Sequence, residues 1–460
     1  MATNNIATPA FEAGQESNGI WGPVDLFGDD PIEKSAKTRK NCIVRPNAIS
    51  NTGPMHITIP PEGDYYIDPA SFRVHGDFKI MKYNKESSSW VALVPDDKDK
   101  VSPINMFTKG IIRCIEGYVN QTPITLISTA AYPQKAMIET MASYGPTAAK
   151  GHLRCSYWIK DQPGKHDDFE GNSAIAQRHL FIENSRSVKM SEVLHTELAT
   201  MSKYILPGVD LTFVFSLNDP TYYLQTKPPA DGTQADTYGI FFHDFYLAFD
   251  RVLLDPKIHA KHEAKLSKGL KTNYDITRGT IRTKQVPANE HNVLWQSMYT
   301  GTLPETVTIC LLDSKAFNGD PTKNGFNFQH FNMESICLKK NSVSIPGQPL
   351  ECDFKNGEAI LAYRHFFDNI GIGNTNEPCL IEYEDFLAGA TIIPFDLTAD
   401  KCAGLHVHEK QTGGIELDIK FADALSTGIT ILALCTYTDK FQVTGPITNR
   451  KIILNPILVT

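Results

Sequence analysis

Gly414-Ile415-Glu416-Leu417-Asp418-Ile419-Lys420-Phe421 is a strand written in strict alternation. Ile415, Leu417, Ile419 and Phe421 face one way; Glu416, Asp418 and Lys420 face the other. A strand with one apolar and one charged face belongs to an antiparallel sheet packed on one side. The same pattern occurs earlier, in Gly208-Val209-Asp210-Leu211-Thr212-Phe213-Val214-Phe215. Laid glycine on glycine, the two put Leu211 level with Leu417. One short match could be two amphipathic strands converging. An ordered series of echoes would instead mean a duplicated domain.

The series exists. Ile112 to Ile124 reads IRCIEGYVNQTPI and Met333 to Ile345 reads MESICLKKNSVSI. Ile115 matches Ile336 and Asn120 matches Asn341, each copy a strand running into a turn led by Asn. A helix is expected after each: Tyr132-Pro133 opens QKAMIETMASYG, and Ala359 to Gly371 reads AILAYRHFFDNIG, both stopped by Gly. More loosely, Glu197-Leu198 precedes the first repeated strand and Asp396-Leu397 the second. Apolar closing segments follow at Phe245–Phe249 and Ile429–Leu434. The chain is thus two copies of one β-domain, with the seam near 255–280.

The chain has 460 residues, more than one core usually organises. Its formal net charge of −8 argues against a general nucleic-acid binder. No apolar run is long enough for a bilayer span, and the polar N-terminus lacks an apolar signal core, which argues against a secreted route. Nine scattered cysteines without a CxxC pair read as reduced thiols, not as a disulfide framework or zinc site. The sequon Asn120-Gln121-Thr122 carries little weight without a secretory signal.

Residues 1–40 read as an arm of irregular composition, with a small apolar knot at Trp21, Val24, Leu26 and Phe27 that docks on the body or on a neighbour. Residues 41–256 are expected to form a first β-domain and 275–460 a second. Met55–Ile59 and the longer run through Phe72, Val74, Phe78 and Ile80 alternate as strands; 84–103 is a long loop around Trp90. Short strands, Gly/Pro turns and long excursions at 160–178 and 217–238 favour Greek-key crossovers. The expected class is all-β: two consecutive eight-stranded antiparallel jelly rolls with short helices in the loops. Between them, 257–274 reads as a basic linker helix. Lys257, Lys261, Lys265 and Lys268 recur at spacings of four, four and three on one helical face. That face is either solvated or a contact for an acidic neighbour or nucleic acid.

Catalytic patterns do not survive inspection. His406-Val407-His408-Glu409 suggests a cupin metal strand, but Thr412 and Gly413 stand where a third ligand belongs. His259 and His262 are three apart, not the four a zincin helix needs. There is no GxSxG, Walker A or Rossmann fingerprint. No catalytic residue, cofactor or metal ligand is assigned, and no enzyme is expected.

The series VDLF (24–27), YYIDP (65–69), IETMASYG (138–145), ILPGVDL (205–211), AFNGDPTKNGFNFQHF (316–331) and PFDLTAD (394–400) resembles the major capsid proteins of Polinton/Maverick elements and adinto-like viruses. The resemblance runs from about residue 20 to 455. It implies a double jelly roll in the lineage of adenovirus hexon and virophage capsid proteins. It further implies a homotrimer forming a pseudo-hexagonal capsomer of an icosahedral double-stranded DNA virus shell. Its partners would be its own copies and a penton or minor capsid protein, with no sequence-specific nucleic acid and no membrane span. Its place would be the virion, after synthesis in the host cytoplasm and with nuclear assembly as one route. On this reading Trp21, Leu26, Phe27, Lys257, Lys261, Lys265 and Lys268 are candidate assembly contacts. The competing readings are a bicupin-like enzyme, discriminated by metal analysis, and a jelly-roll binding module, discriminated by glycan or histone binding of a monomer.

Overall fold

The structure, a computed structural model, describes residues 33–125, 131–228, 236–401 and 408–454. Sixteen of the described strands form two matching sets of eight, one in each sandwich. The first eight are β1 (Ala36–Val44), β2 (Met55–Ile59), β3 (Tyr65–Asn84), β4 (Ile112–Val119), β5 (Thr122–Pro123), β6 (Val188–Val193), β7 (Leu211–Leu217) and β8 (Thr237–Leu254). The second eight are β9 (Thr272–Val286), β10 (Asn292–Thr302), β11 (Thr306–Asp313), β12 (Met333–Lys340), β13 (Val343–Glu351), β14 (Ile392–Asp396), β15 (Thr412–Phe421) and β16 (Ile429–Thr444). In the first sandwich the sheets run β1-β8-β3-β6 and β2-β7-β4-β5. In the second they run β9-β16-β11-β14 and β10-β15-β12-β13, so every strand has its counterpart eight places on. All pairings are antiparallel, and the closing strand enters between the first and third, as in a jelly roll.

Alternation decides which side chains fill each sandwich. Leu211, Phe213, Phe215 and Leu217 of β7 point inward, as do Ile415, Leu417, Ile419 and Phe421 of β15. Phe72 of β3 meets Phe213 edge to face at 5.3 Å between centroids, and Phe245 of β8 meets Phe215 at 5.4 Å. These contacts tie the two sheets of the first sandwich together. Ile429 to Cys435 of β16 is buried on both faces, which is why that run does not alternate.

The duplication stands, but with a different register from the glycine alignment. Val119 of β4 pairs with Leu211, and its counterpart Lys340 of β12 pairs with Ile415. Leu211 therefore matches Ile415, and Leu417 matches Phe213. A slip of two residues keeps every side chain on its own face, so the hydrophobic pattern cannot reveal it. Gly208 and Gly414 have unrelated roles. Gly208 has φ +78°, and a Cβ there would run into the Ile447 carbonyl, whereas Gly414 lies inside β15 opposite Thr300. The Glu197/Asp396 echo is also out of step, since Asp396 ends β14 while Glu197 lies beyond the end of β6.

Three helices matter below: α1 (Tyr132–Ser143), α2 (Pro256–Ser267) and α3 (Ile360–Asn369). α1 follows β5 and α3 follows β13, so the helix is duplicated with the sandwich. β1 opens at Ala36 and β9 at Thr272, ahead of the expected boundaries at 41 and 275. Ala36–Lys40 is a polar edge strand with no buried face, so it carries no alternation to read. The expected loop at 84–103 contains a strand, Ser89–Val91, paired on β3, which sets Trp90 against Tyr83 and Phe241.

Candidate assembly surfaces

The two sandwiches meet along a polar seam. Its centre is α1, which lies over β9 of the second sandwich. Lys135 approaches Glu197 at 3.8 Å and Glu139 at 4.0 Å, and Glu139 meets the His195 imidazole at 2.6 Å. Glu197 accepts from the Thr125 hydroxyl at 3.0 Å and, across the seam, from the Gly279 amide at 3.5 Å. Burial alone would raise the Glu139 carboxyl, but Lys135 and His195 outweigh it and hold it below its ordinary value. Burial and then Lys109 push the His195 imidazole down. Further contacts extend the seam to both sides. The Tyr274 hydroxyl donates to the Tyr204 carbonyl and accepts from the Leu206 amide, both at 3.1 Å. Asp167 accepts from the Asn324 amide at 2.7 Å, and Leu380 donates its amide to the Met141 carbonyl at 3.2 Å. This network escaped the sequence reading. Its signal was Lys135 and Glu139, one turn apart in an otherwise uncharged helix.

The linker helix forms as its sequence suggests. Asp255 caps α2 by accepting from the Lys257 amide at 2.9 Å, and Pro256 occupies its first turn. Leu266 is its one buried residue. His262 lies 2.8 Å from the Tyr66 hydroxyl and Glu263 pairs with Arg450, so the helix is fastened to both sandwiches. Lys257, Lys261, Lys265 and Lys268 are all exposed, and none forms an ion pair with a described residue. Lys265 alone of the four lines a groove of about 560 Å³ bounded by Tyr66, Leu206, Leu254, Leu270 and Tyr274. Trp21, Leu26 and Phe27 lie outside the described residues.

No family model matches the sequence. An uncharacterized protein of Caenorhabditis elegans is 19% identical over 354 residues, covering 76% of this chain and 82% of the relative. Solved structures are more informative. A chain in the cryo-EM structure of the Sputnik virophage superposes with a TM-score of 0.63 at 12% identity, over 96% of this chain and 93% of that one. The Faustovirus major capsid protein gives 0.57 at 9% identity over 92% of each chain. The mavirus major capsid protein gives 0.55 at 12% identity, over 98% of this chain and 100% of its own. The fold is the double jelly roll of viral major capsid proteins.

Elsewhere in the double jelly roll, the described histidine of the cupin-like stretch sits between carboxylates. His408 is clamped by Asp400 at 2.7 Å and faces Glu305 at 3.6 Å; Asp400 first, then Glu305, raises its pKa. Its supposed partner His406 lies outside the described residues. Among the described residues no group of three His, Cys, Asp or Glu could hold a metal ion. The eight described cysteines are free thiols. Among those residues no helix is long and apolar enough to cross a membrane.

Proposed function

We propose that this chain is the major capsid protein of an icosahedral double-stranded DNA virus or of a virus-like Polinton element. The observation that carries the reading is the likeness of the whole double jelly roll to viral capsid subunits, over 92% or more of this chain in three separate structures. The construction suits the role. A shell tile needs stiffness and broad lateral contacts, and two sandwiches joined by a bonded seam supply both. On this reading the residues before β1 act as an arm, those from β1 to β8 and from β9 onward as the two jelly rolls, and the stretch between β8 and β9 as the connector. Three copies form a capsomer of six jelly rolls, capsomers meet one another and a penton or minor capsid protein, and the assembled protein resides in the virion. The role involves no catalysis. The net charge of −8 would repel phosphate, so genome condensation falls to other proteins.

The test is direct. Purified protein is sized by light scattering and imaged in negative stain. Trimers with a pseudo-sixfold outline, or closed shells, are expected. A monomer at every concentration, salt and pH tried would overturn the proposal.

A further inference from the structure

The groove of about 560 Å³ beside α2 has an apolar lining and a basic rim. Tyr66, Leu206 and Leu254 of the first sandwich, Leu266 and Leu270 at the end of α2, and Tyr274 of the second sandwich line it. Leu254 is partly exposed and Leu270 is 56% exposed. Leu270 is held there by backbone bonds. Its amide donates to the Lys265 carbonyl at 3.2 Å and the Gly269 amide to the Leu266 carbonyl at 3.0 Å, with Gly269 at φ +82°. In this helix ending the residue after the glycine normally packs on an apolar side chain of the last turn. Here those positions hold Ala264 and Lys265, so Leu270 is aimed at the groove without a partner of its own size.

Lys203, Lys265 and Lys271 rim the groove, and among the described residues no carboxylate lines it. Lys203 is held by Asp275 at 3.1 Å. Lys265 and Lys271 are exposed and form no ion pair with a described residue. An apolar trough with such a rim suits a segment that is apolar and acidic together.

The chain carries one beside the groove. Residues 1–32 contain Glu12, Glu16, Asp25, Asp29 and Asp30 and no Lys or Arg. Asp25, Asp29 and Asp30 lie in and just after the apolar knot of Trp21, Val24, Leu26 and Phe27. The described chain begins at the edge of the groove. Ala36 pairs with Leu254, the Ser35 carbonyl accepts from the Asp255 amide at 2.8 Å, and Lys37 holds the Asp255 carboxylate at 3.0 Å. Residue 33 is thus beside the start of α2. Phe27, six residues earlier, has a reach of about 20 Å from there in extended chain. The 12 residues of α2 span about 18 Å, so the knot can reach Leu270 at the far end.

We propose that the acidic segment 21–30 seats in the groove of its own chain, with Leu26 and Phe27 against Leu254 and Leu270 and its carboxylates toward Lys265 and Lys271. A short tether gives an effective concentration on the order of millimolar, so a chain fills its own groove ahead of a neighbour's. The seated segment lies across both sandwiches, because Tyr66 and Leu206 belong to one and Tyr274 to the other. The proposal goes beyond the capsid reading and does not depend on it. One short segment moves the melting of so long a chain little, so docking itself is what must be read.

The test uses the full chain with Phe27→Cys and Leu270→Cys combined. Under mild oxidation of dilute protein, peptide mapping should find positions 27 and 270 linked within a chain that runs as a monomer on a non-reducing gel. Neither single variant, nor a mixture of the two, should give that link. Adding Lys265→Glu and Lys271→Glu to the pair should cut its yield several-fold, as should raised salt. Independently, the emission of Trp21, taken as the difference between the parent and Trp21→Phe, should be that of a buried indole and should move to the red with Leu270→Asp. Absence of the link in the pair, a link that forms only between chains, a bound amphiphile held by the parent in native mass spectrometry and displaced by Leu270→Asp, or a Trp21 emission like that of indole in water would each overturn the proposal. Each would leave the capsid reading standing.

Discussion

Asn120 and Asn341 make the same pair of hydrogen bonds in the two halves of the chain. The Asn120 amide donates to the Asp210 carbonyl at 3.0 Å while its side-chain oxygen accepts from the Asp210 amide at 2.9 Å. Asn341 does the same to Gly414, at 2.9 Å in both directions. Each opens a two-residue hairpin loop with positive φ at both positions: 43° and 65° at Asn120–Gln121, 49° and 67° at Asn341–Ser342. Asn tolerates that conformation and bonds from it.

Replacing Asn341 by Ala should therefore remove a hydrogen bond worth about 1 kcal/mol and impose a left-handed residue costing about 1–2 kcal/mol more. Asn341→Gly keeps the conformation and should lose only the first part. Urea unfolding of both variants checks this; equal losses would show that the bond, not the backbone, decides.

Leu417 is fully buried and Asp418, one position on, faces outward beside Lys339 at 3.6 Å. Leu417→Ala should cost about 2–5 kcal/mol. Asp418→Ala removes a part-exposed ion pair and should cost about 1 kcal/mol or less. The reverse order in denaturant midpoints would contradict the register of β15.

His330 gives the protein an acid-sensitive step. Its ring stacks on Phe354 at 4.1 Å between centroids, and its Nδ1 accepts from the Asn332 amide at 2.9 Å. Burial pushes its pKa down to about 4 from an ordinary 6.5, against a raising hydrogen bond to the Leu387 backbone. The unfolded chain takes up a proton below pH 6.5 and the folded one does not until about pH 4. Stability should therefore be insensitive to this group above pH 6.5 and fall as pH drops from there to about 4. His330→Phe should flatten part of that slope in melting temperatures measured across the window.

Truncation should separate arm from strand. Removing residues 1–32 leaves all of β1 in place and should leave the melting temperature unchanged. Removing 1–40 also takes Ala36–Lys40, which pair with Arg251–Leu254 of β8, and should lower it. Equal melting of the two truncated chains would mean that this part of the edge contributes nothing.

What the sequence disclosed follows from period. Alternation in 415–421 and 211–217 located the core face of each sandwich without any structure. The Asn-led turns marked two equivalent hairpins, and the lysine spacing placed α2. Register was not legible from alternation, because a shift of two residues preserves it; the Asn120 and Asn341 turns, read with their bonding partners, fix it instead. β1 was not read as a strand, and its first five residues were taken into the arm, because an edge strand exposed on both faces there has no apolar periodicity. The seam was hidden because Lys135 and Glu139 of α1 meet His195 and Glu197 only when two segments distant in the chain come together.

The closing strands of the two sandwiches also set a timetable for a chain leaving the ribosome. Arg39 of β1 bonds to Asp250 of β8, 211 positions later. At about 5–20 residues per second, the first edge strand waits roughly 10–40 s for its neighbour. The first sandwich can then close, but the side of α1 that carries Tyr132 and Lys135 has no cover until Gly279 and Ile281 of β9 follow. In a cell, that interval is when a holding chaperone would find this protein.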